Sequence, residues 1–452
     1  MFPALEGKSL LALLLQVALL SLAGPLLAAQ LWIIVGMFRT PGASATKGAA
    51  SRATAANEQA PYDEGRPALG KWPSVSVIIP AHNEARRLPA TLASLGRVEY
   101  PGAWEVVLVD DRSSDATPAV MQEAALVDSR ITVITITEAS KRLAPKVNAV
   151  RAGILASSGA VIVTSDADCS YRPGWLVAMV SAFEPGVAMV SGYVETNLAQ
   201  LTGPETIGPE TIGPARVPWW ARVEAADWFS LMLVSRSMLR FGKAYASSAN
   251  NQAYLRSAFD RAGGFGAGAR APSGDEDLLA QRLGALPGMK VAFADDVAAR
   301  VSTRSAGSFL AFLKQRSRWV SRYRHMVHYR PAFLAGLSVL GFESIALGCA
   351  LLAAPFVHEI RFVTLIVYLS QTAAHVFGMN VGARQLGRPD LGGFVSLVWA
   401  LLHPFIIATA VIWSWLAPGD WRAGAVGYRR SLMRRRWRLL LRSLVPRGDI
   451  DV

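Results

Sequence analysis

Thirty consecutive residues, Ser9 to Phe38, carry no formal charge. A helix needs roughly 20 apolar residues to cross a bilayer, so this stretch is long enough to span one with some tilt. A cleaved signal peptide would also start apolar, and Leu27-Ala28-Ala29 loosely resembles a cleavage site. The run continues through Leu31-Trp32-Ile33-Ile34-Val35, however, beyond the roughly 7–15 apolar residues of a signal core. Residues 1–38 are therefore expected to be a retained transmembrane anchor. Glu6 and Lys8 precede the run, whereas Arg39, Lys47 and Arg52 follow it, which predicts that the next domain lies in the cytoplasm at the inner membrane.

Three more apolar stretches, 332–357, 362–382 and 391–417, are interrupted only by Glu343, His375 and His403. A carboxylate in lipid is costly, so Glu343 is expected to face a partner helix or an acceptor pocket. The region 331–417 thus holds about three hydrophobic segments. Three full crossings would export the Arg-rich tail over 418–452, against the positive-inside rule. A cytoplasmic tail is expected instead, with one stretch re-entrant or interfacial.

Composition agrees with a membrane protein. Hydrophobic residues make up 52% of the 452 and charged residues 17%, below the roughly 25% usual in soluble chains. So much apolar surface excludes general disorder. Only two cysteines, Cys169 and Cys349, are present, which excludes a disulfide framework and a Cys-rich zinc site. The net charge of +13 is concentrated. Arg300 to Arg330 carries eight basic residues and no acid, and Pro418 to Val452 carries nine Arg against three Asp. Basic charge beside apolar runs predicts a face for anionic lipid. Nucleic acid is not an expected partner, because no zinc-finger, helix-turn-helix or RNA-binding signature accompanies the charge.

Residues 39–72, rich in Ala, Thr, Ser, Gly and Pro, read as a flexible linker. The body over 73–305 opens with the apolar run Val75–Pro80. Similar runs follow at Trp104–Val109, Ile131–Ile136 and Ala160–Thr164, separated by helical patterns near 84–95, 115–127 and 145–157. This alternation predicts an α/β domain with a mostly parallel sheet covered by helices on both faces. A duplicated Glu-Thr-Ile-Gly-Pro, Glu205–Pro209 and Glu210–Pro214, reads as a loop. Residues 306–330 read as a basic amphipathic interfacial segment.

Ligands of open α/β sheets bind beyond the carboxyl ends of the strands. Those ends read Pro80-Ala81-His82-Asn83-Glu84, Asp110-Asp111-Arg112-Ser113-Ser114 and Ser165-Asp166-Ala167-Asp168. Five acids on one rim repel one another unless a cation intervenes. Carboxylates without His or Cys partners select Mg2+ or Mn2+. Asp166 and Asp168, on a segment expected to be extended, should point different ways, one holding the metal and the other meeting a ribose. No Walker A or Gly-x-Gly-x-x-Gly follows the first strand, so phosphates must be neutralised by a metal and side-chain cations. Lys146, at a helix start near the same rim, is either such a cation or a solvated lysine. Asp275-Glu276-Asp277 also opens a helix; it could complement the helix dipole or supply a general base. Gln315, Arg318 and Trp319 fit a membrane-surface helix, a pyrophosphate and sugar contact, or both.

Five motifs occur in order: Pro80-Ala81-His82-Asn83-Glu84, Asp110-Asp111, Asp166-Ala167-Asp168, Glu276-Asp277 and Gln315-x-x-Arg318-Trp319. Over 74–330 and the flanking membrane segments the chain resembles a membrane-bound family 2 glycosyltransferase of the GT-A fold. It is similar to cellulose and hyaluronan synthases and to ceramide-glucosyltransferase-like enzymes. The resemblance implies a metal-dependent inverting transfer from a nucleotide-diphosphate sugar, with a UDP-sugar as the expected donor. A lipid hydroxyl is the expected acceptor, with a processive polysaccharide synthase as the alternative and a non-catalytic nucleotide-binding scaffold as a further one. It assigns Pro80, Glu84, Asp110 and Asp111 to the nucleoside region, Lys146 to the diphosphate, and Asp166 and Asp168 to nucleotide and metal. Asp277 becomes the base beside Glu276, with Asp275 as rival. Gln315, Arg318 and Trp319 would close the diphosphate and acceptor site, and Asn250-Asn251 would line the acceptor.

Overall fold

The computed structural model describes residues 10–39, 72–140, 142–198, 217–266, 275–321 and 330–416. The expected linker (apart from residues 39 and 72), the Glu-Thr-Ile-Gly-Pro duplication and the basic tail lie outside the described residues.

An apolar helix, α1 (Leu10–Phe38), precedes the α/β body. The body begins β1 (Val75–Ala81), α2 (Leu88–Leu95), β2 (Trp104–Asp111), α3 (Thr117–Val127), β3 (Ile131–Ile136), α4 (Pro145–Leu155), β4 (Val161–Thr164). It continues through β5 (Cys169–Tyr171), α5 (Trp175–Ser181), β6 (Val187–Gly192), β7 (Val194–Asn197), α6 (Trp219–Arg240), β8 (Gln252–Leu255) and α7 (Arg256–Arg261). Next come α8 (Asp275–Leu283), β9 (Lys290–Ala294), β10 (Val301–Arg304) and α9 (Phe309–Val320). Three long helices follow: α10 (Pro331–Ala353), α11 (His358–Gln385) and α12 (Gly393–Leu416).

The main sheet has seven strands in the order β3-β2-β1-β4-β8-β6-β9. All neighbours are parallel except at β8, which runs against both β4 and β6. Alternate residues of the central strands feed two cores. Val77, Ile79, Leu108 and Val163 meet α2, α3 and α5 on one face, whereas Ile78, Val107 and Ile162 meet α4 and α8 on the other. That two-sided burial is why these strands are continuous apolar runs. A smaller sheet, β5-β10-β7, flanks the main one.

The helix near 84–95 starts late, at Leu88, because Pro89 fits the first helical turn and residues 84–87 form a turn. Pro118 and Pro145 stand in the same place in α3 and α4.

Among the described residues four helices are long and apolar enough to cross a membrane: Gln16–Phe38, Pro331–Ala353, His358–Gln385 and Gly393–Leu416. Glu343 does face a partner helix, accepting a hydrogen bond from Gln371 of α11. His375 lies 2.9 Å from Gln30 of α1, with the His403 ring 4.7 Å away. Helix α6 joins this bundle to the body. Its Ala226 and Phe229 share a core with Met37 of α1, Met379 of α11 and Trp399 of α12. Arg240 donates to the Met37 carbonyl (2.7 Å) and Arg236 to Gln385 (2.8 Å), and both pair with Asp295.

Close approach to α6 requires small residues on the apolar helices. A Cβ at Gly36 would come within 2.7 Å of the Phe241 ring and 2.9 Å of Ser237 Cβ, and one at Gly382 within 2.4 Å of Leu233. Gly36→Leu is therefore expected to destabilise the protein by about 1–3 kcal/mol through overpacking. The check is the thermal unfolding midpoint in detergent.

Candidate active site

The order β2-β1-β4 places three parallel strand ends side by side at the point where chain progression across the sheet reverses, the usual ligand crevice of such sheets. In register, Ala81 is opposite Asp110 and Ile78 opposite Thr164. The Pro80–Glu84, Asp110–Ser114 and Ser165–Asp168 segments are thus neighbours because of the topology.

The first two segments are laced together. His82 Nδ1 donates to the Asp111 carbonyl (2.6 Å), and the Asn83 amide to Ser113 Oγ (3.0 Å). The Ser114 amide donates to Asn83 Oδ1 (2.8 Å), and the Glu84 amide to Thr117 Oγ1 (2.8 Å). Asn83 and Arg112 have φ of 56° and 59°, a conformation that costs a side-chain-bearing residue about 1 kcal/mol or more. The strained backbone holds the carboxylates in place. Asp110 Oδ1 caps the Ser113 amide (3.1 Å), and Asp111 Oδ1 accepts from Arg112 Nε (2.8 Å). Asp111 is only 2% exposed, and its Oδ2 has no hydrogen-bond partner. A buried carboxylate oxygen left over is suited to receive N–H groups from a ligand such as a nucleobase.

Asp166-Ala167-Asp168 is a turn, which corrects the expected extended segment: the Cys169 amide donates to the Asp166 carbonyl (3.3 Å). Residues two apart on a strand share a face, so only a turn lets these carboxylates diverge. Asp166 pairs with Lys146 Nζ at 2.6 Å. Asp168 acts electrostatically on Arg87. Burial opposes that guanidinium's charge, but the hydrogen bond and charge of Glu84 and the charge of Asp168 prevail and raise its pKa. Cys169 is buried, and burial pushes its thiol up, so it stays protonated and packs.

No group of three His, Cys, Asp or Glu side chains gathers as a metal site among the described residues. Two partly exposed carboxylates, one of them already beside Lys146, nevertheless suit a hard divalent cation, which commonly takes its remaining ligands from substrate phosphates and water.

The third acid region is tied to the same rim. Asp277, in the first turn of α8, is buried, and its Oδ1 accepts from the Ser247 amide (3.0 Å). The strand that follows Ser247 pairs with β4, Gln252 opposite Thr164, and Ser165 Oγ donates to the Asn250 carbonyl (2.6 Å). One short segment therefore links Asp277 to the Asp-Ala-Asp turn. Glu276 is half-buried beside it, while the side chain of Asp275 lies outside the described residues. Leu278 packs on Phe333, Leu334 and Leu337 of α10, and the Arg330 amide donates to Gln281 (3.0 Å). The helix carrying Asp277 is seated on the first turns of an apolar helix.

Asn250 and Asn251 part company. Asn250 is half-buried, its side-chain amide 3.8 Å from Cys169 Sγ. Asn251 is fully buried, donating to the Tyr193 and Ala299 carbonyls (3.0 and 2.7 Å) and accepting from Trp175 Nε1 (3.0 Å). Its amide is spent inside the body, so the expectation that it lines an acceptor surface is corrected. Gln315, Arg318 and Trp319 lie on α9 and are partly exposed; Trp319 meets Trp228 edge-on at 4.8 Å. Arg87 and Thr117 stand outside every motif read from the sequence, whereas Arg316 lies inside Gln315-x-x-Arg318-Trp319 at a position that motif leaves open.

A family described as glycosyl transferase family 2 matches residues 76–241, and one described as glycosyl transferase family group 2 matches residues 161–415, more than half of the chain. The chain is similar to the glycosyltransferase AglE of Haloferax volcanii, 34% identical over 125 residues that cover 27% of this chain and 40% of that protein. It is also similar to an undecaprenyl-phosphate 4-deoxy-4-formamido-L-arabinose transferase of Pectobacterium carotovorum, 33% identical over 128 residues covering 27% and 37%. The matched stretch thus spans about two fifths of these curated relatives' length. Among solved structures, the mannosyltransferase PcManGT from Pyrobaculum calidifontis, in complex with GDP-Man and Mn2+, shares the fold. Its TM-score is 0.53 at 18% identity, covering 90% of this chain and 100% of that one.

Asn251→Ala would strand one indole N–H and two carbonyls in the core. We expect it to cost about 2–5 kcal/mol of stability, and Asn250→Ala less than about 1 kcal/mol, read from unfolding midpoints.

Proposed function

Since the chain belongs to the family 2 glycosyltransferases, we propose that it is a membrane-seated inverting enzyme moving a sugar from a nucleotide-diphosphate donor to the hydroxyl of a lipid. The observation that carries the acceptor class is the packing of Leu278, next to Asp277, on the first turns of α10. A base in that position meets an acceptor at the membrane surface. The relative named for undecaprenyl phosphate supports a lipid-linked acceptor. Arg39, Lys47 and Arg52, just after α1, support a cytoplasmic catalytic body. Both ends of α12 lie beside that body. Arg388, just before it, pairs with Glu195, and Trp413 near its end lies 6.0 Å from Lys314 of α9. This favours a tail on the same side.

In this reading Asp111 Oδ2 receives the base of the donor, with Asp110, Glu84 and Pro80 shaping its pocket. Asp277 takes the acceptor proton. The acceptor oxygen attacks C1 opposite the leaving group, the C1–O bond to the diphosphate breaks, and the bonding electrons leave with the diphosphate. Lys146, Gln315 and Arg318 meet the growing negative charge. A Mg2+ or Mn2+ held by Asp168 with Asp166 would supply further positive charge there.

The test is a screen of radiolabelled UDP- and GDP-sugars on membranes containing the protein, with products extracted and weighed by mass spectrometry. One or two sugars on a lipid is the expected product; a long polymer, or no transfer, contradicts the proposal. Asp277→Asn is expected to lower turnover by roughly 10²–10⁴-fold with nucleotide binding kept. Asp168→Ala is expected to lose the Mn2+-dependent part of nucleotide affinity in a calorimetric titration. Near-normal turnover in the first variant, or an unchanged titration in the second, would remove that residue from its role.

A further inference from the structure

We propose that Arg316, between the motif positions Gln315 and Arg318, is a positioning residue that orients the diphosphate-binding face of α9; this rests on the reading of the donor site above. Arg316 is 4% exposed, far below what a basic residue on a membrane-surface helix would show. Its Nε donates to Asp227 Oδ2 of α6, and its Nη1 to Gln315 Oε1 (3.2 Å). The guanidinium lies over the rings of Trp319 (4.0 Å), Phe312 (4.9 Å) and Trp228 (5.4 Å). Asp227 Oδ1 accepts from Trp399 Nε1 of α12 (3.1 Å). One buried carboxylate thus joins the motif helix to the body's longest helix and to a membrane helix.

Two consequences concern chemistry. With Gln315 Oε1 occupied by a cation, the amide is fixed so that its NH2 end remains to donate, the polarity an anionic diphosphate needs. With one guanidinium stacked on Trp319 and bonded through Nε to Asp227 and through Nη1 to Gln315, the rotation of α9 about its axis is fixed, and with it the direction of Arg318. Lysine keeps the charge but is a point donor that cannot fork and stack at once.

The test uses the full-length protein in detergent with Mn2+, comparing affinities for a nucleoside diphosphate and its monophosphate, UDP with UMP or GDP with GMP. Nucleoside contacts serve both ligands, so their ratio isolates the diphosphate. Arg316→Lys is expected to weaken the diphosphate about tenfold and the monophosphate less than about twofold. Adding Gln315→Ala to it should then bring little further loss. Trp399→Phe removes the N–H that holds Asp227 Oδ1, together with part of the ring, and is expected to weaken the diphosphate a few-fold. Unchanged ratios in both folded variants, or equal weakening of both ligands, overturn the proposal. A wild-type protein that binds neither nucleotide pair defeats the donor-site reading itself.

Discussion

A charge taken out of water must meet a partner, and the contact between the α/β body and the apolar helices is built around that requirement. Asp227 is buried where α6, α9 and α12 meet, and it is satisfied by Arg316 and Trp399 together. Glu224, one turn earlier on α6, accepts from Ser305 Oγ and from the Ala306 amide (2.9 Å), fastening the chain just before α9. Burial raises the Glu224 carboxyl's pKa, and the two hydrogen bonds only partly oppose this. Removing one member of such a buried set leaves the others unpaired, at a cost of roughly 3–5 kcal/mol. The body is therefore held in one orientation on the bundle. An apolar contact alone would permit sliding.

That fixed seating gives the strand-end rim its meaning. The sheet order puts three acid-bearing segments side by side, and two strained residues, Asn83 and Arg112, hold the nearer pair. Lys146 and Arg87 approach the Asp-Ala-Asp turn and offset the repulsion among its carboxylates. Asp277 joins through Ser247 while its helix rests on α10. On the reading proposed above, the sheet would make the donor end of the site and the edge of the apolar bundle its acceptor end.

How much of this was legible in the sequence depended on what buried each element. The strands β1, β2, β3 and β4 were readable because cores on both faces demand continuous apolar runs. The apolar helices were readable because lipid tolerates so little charge. Helix α6 was not read, since it is buried against both the body and the bundle, and its acids Glu224 and Asp227 look like surface residues until their partners are known. Arg316 was hidden for the same reason: beside Gln315 and Arg318 it read as one more basic residue in a charged stretch. Asn250-Asn251 read as a pair, but an amide next to a strand end can turn outward or inward, and only tertiary contacts distinguish the two. The Asp-Ala-Asp turn was misjudged as extended because its turn is closed by a backbone hydrogen bond that leaves no mark on residue type.

The most direct measurement is a structure of the protein in lipid nanodiscs with Mn2+ and the nucleoside diphosphate it binds. The account predicts the base against Asp111, the diphosphate between the Asp166–Asp168 turn and Gln315 with Arg318, and Asp277 facing the lipid-side opening. A nucleotide bound away from Asp111, or a diphosphate beyond the reach of α9, would contradict it.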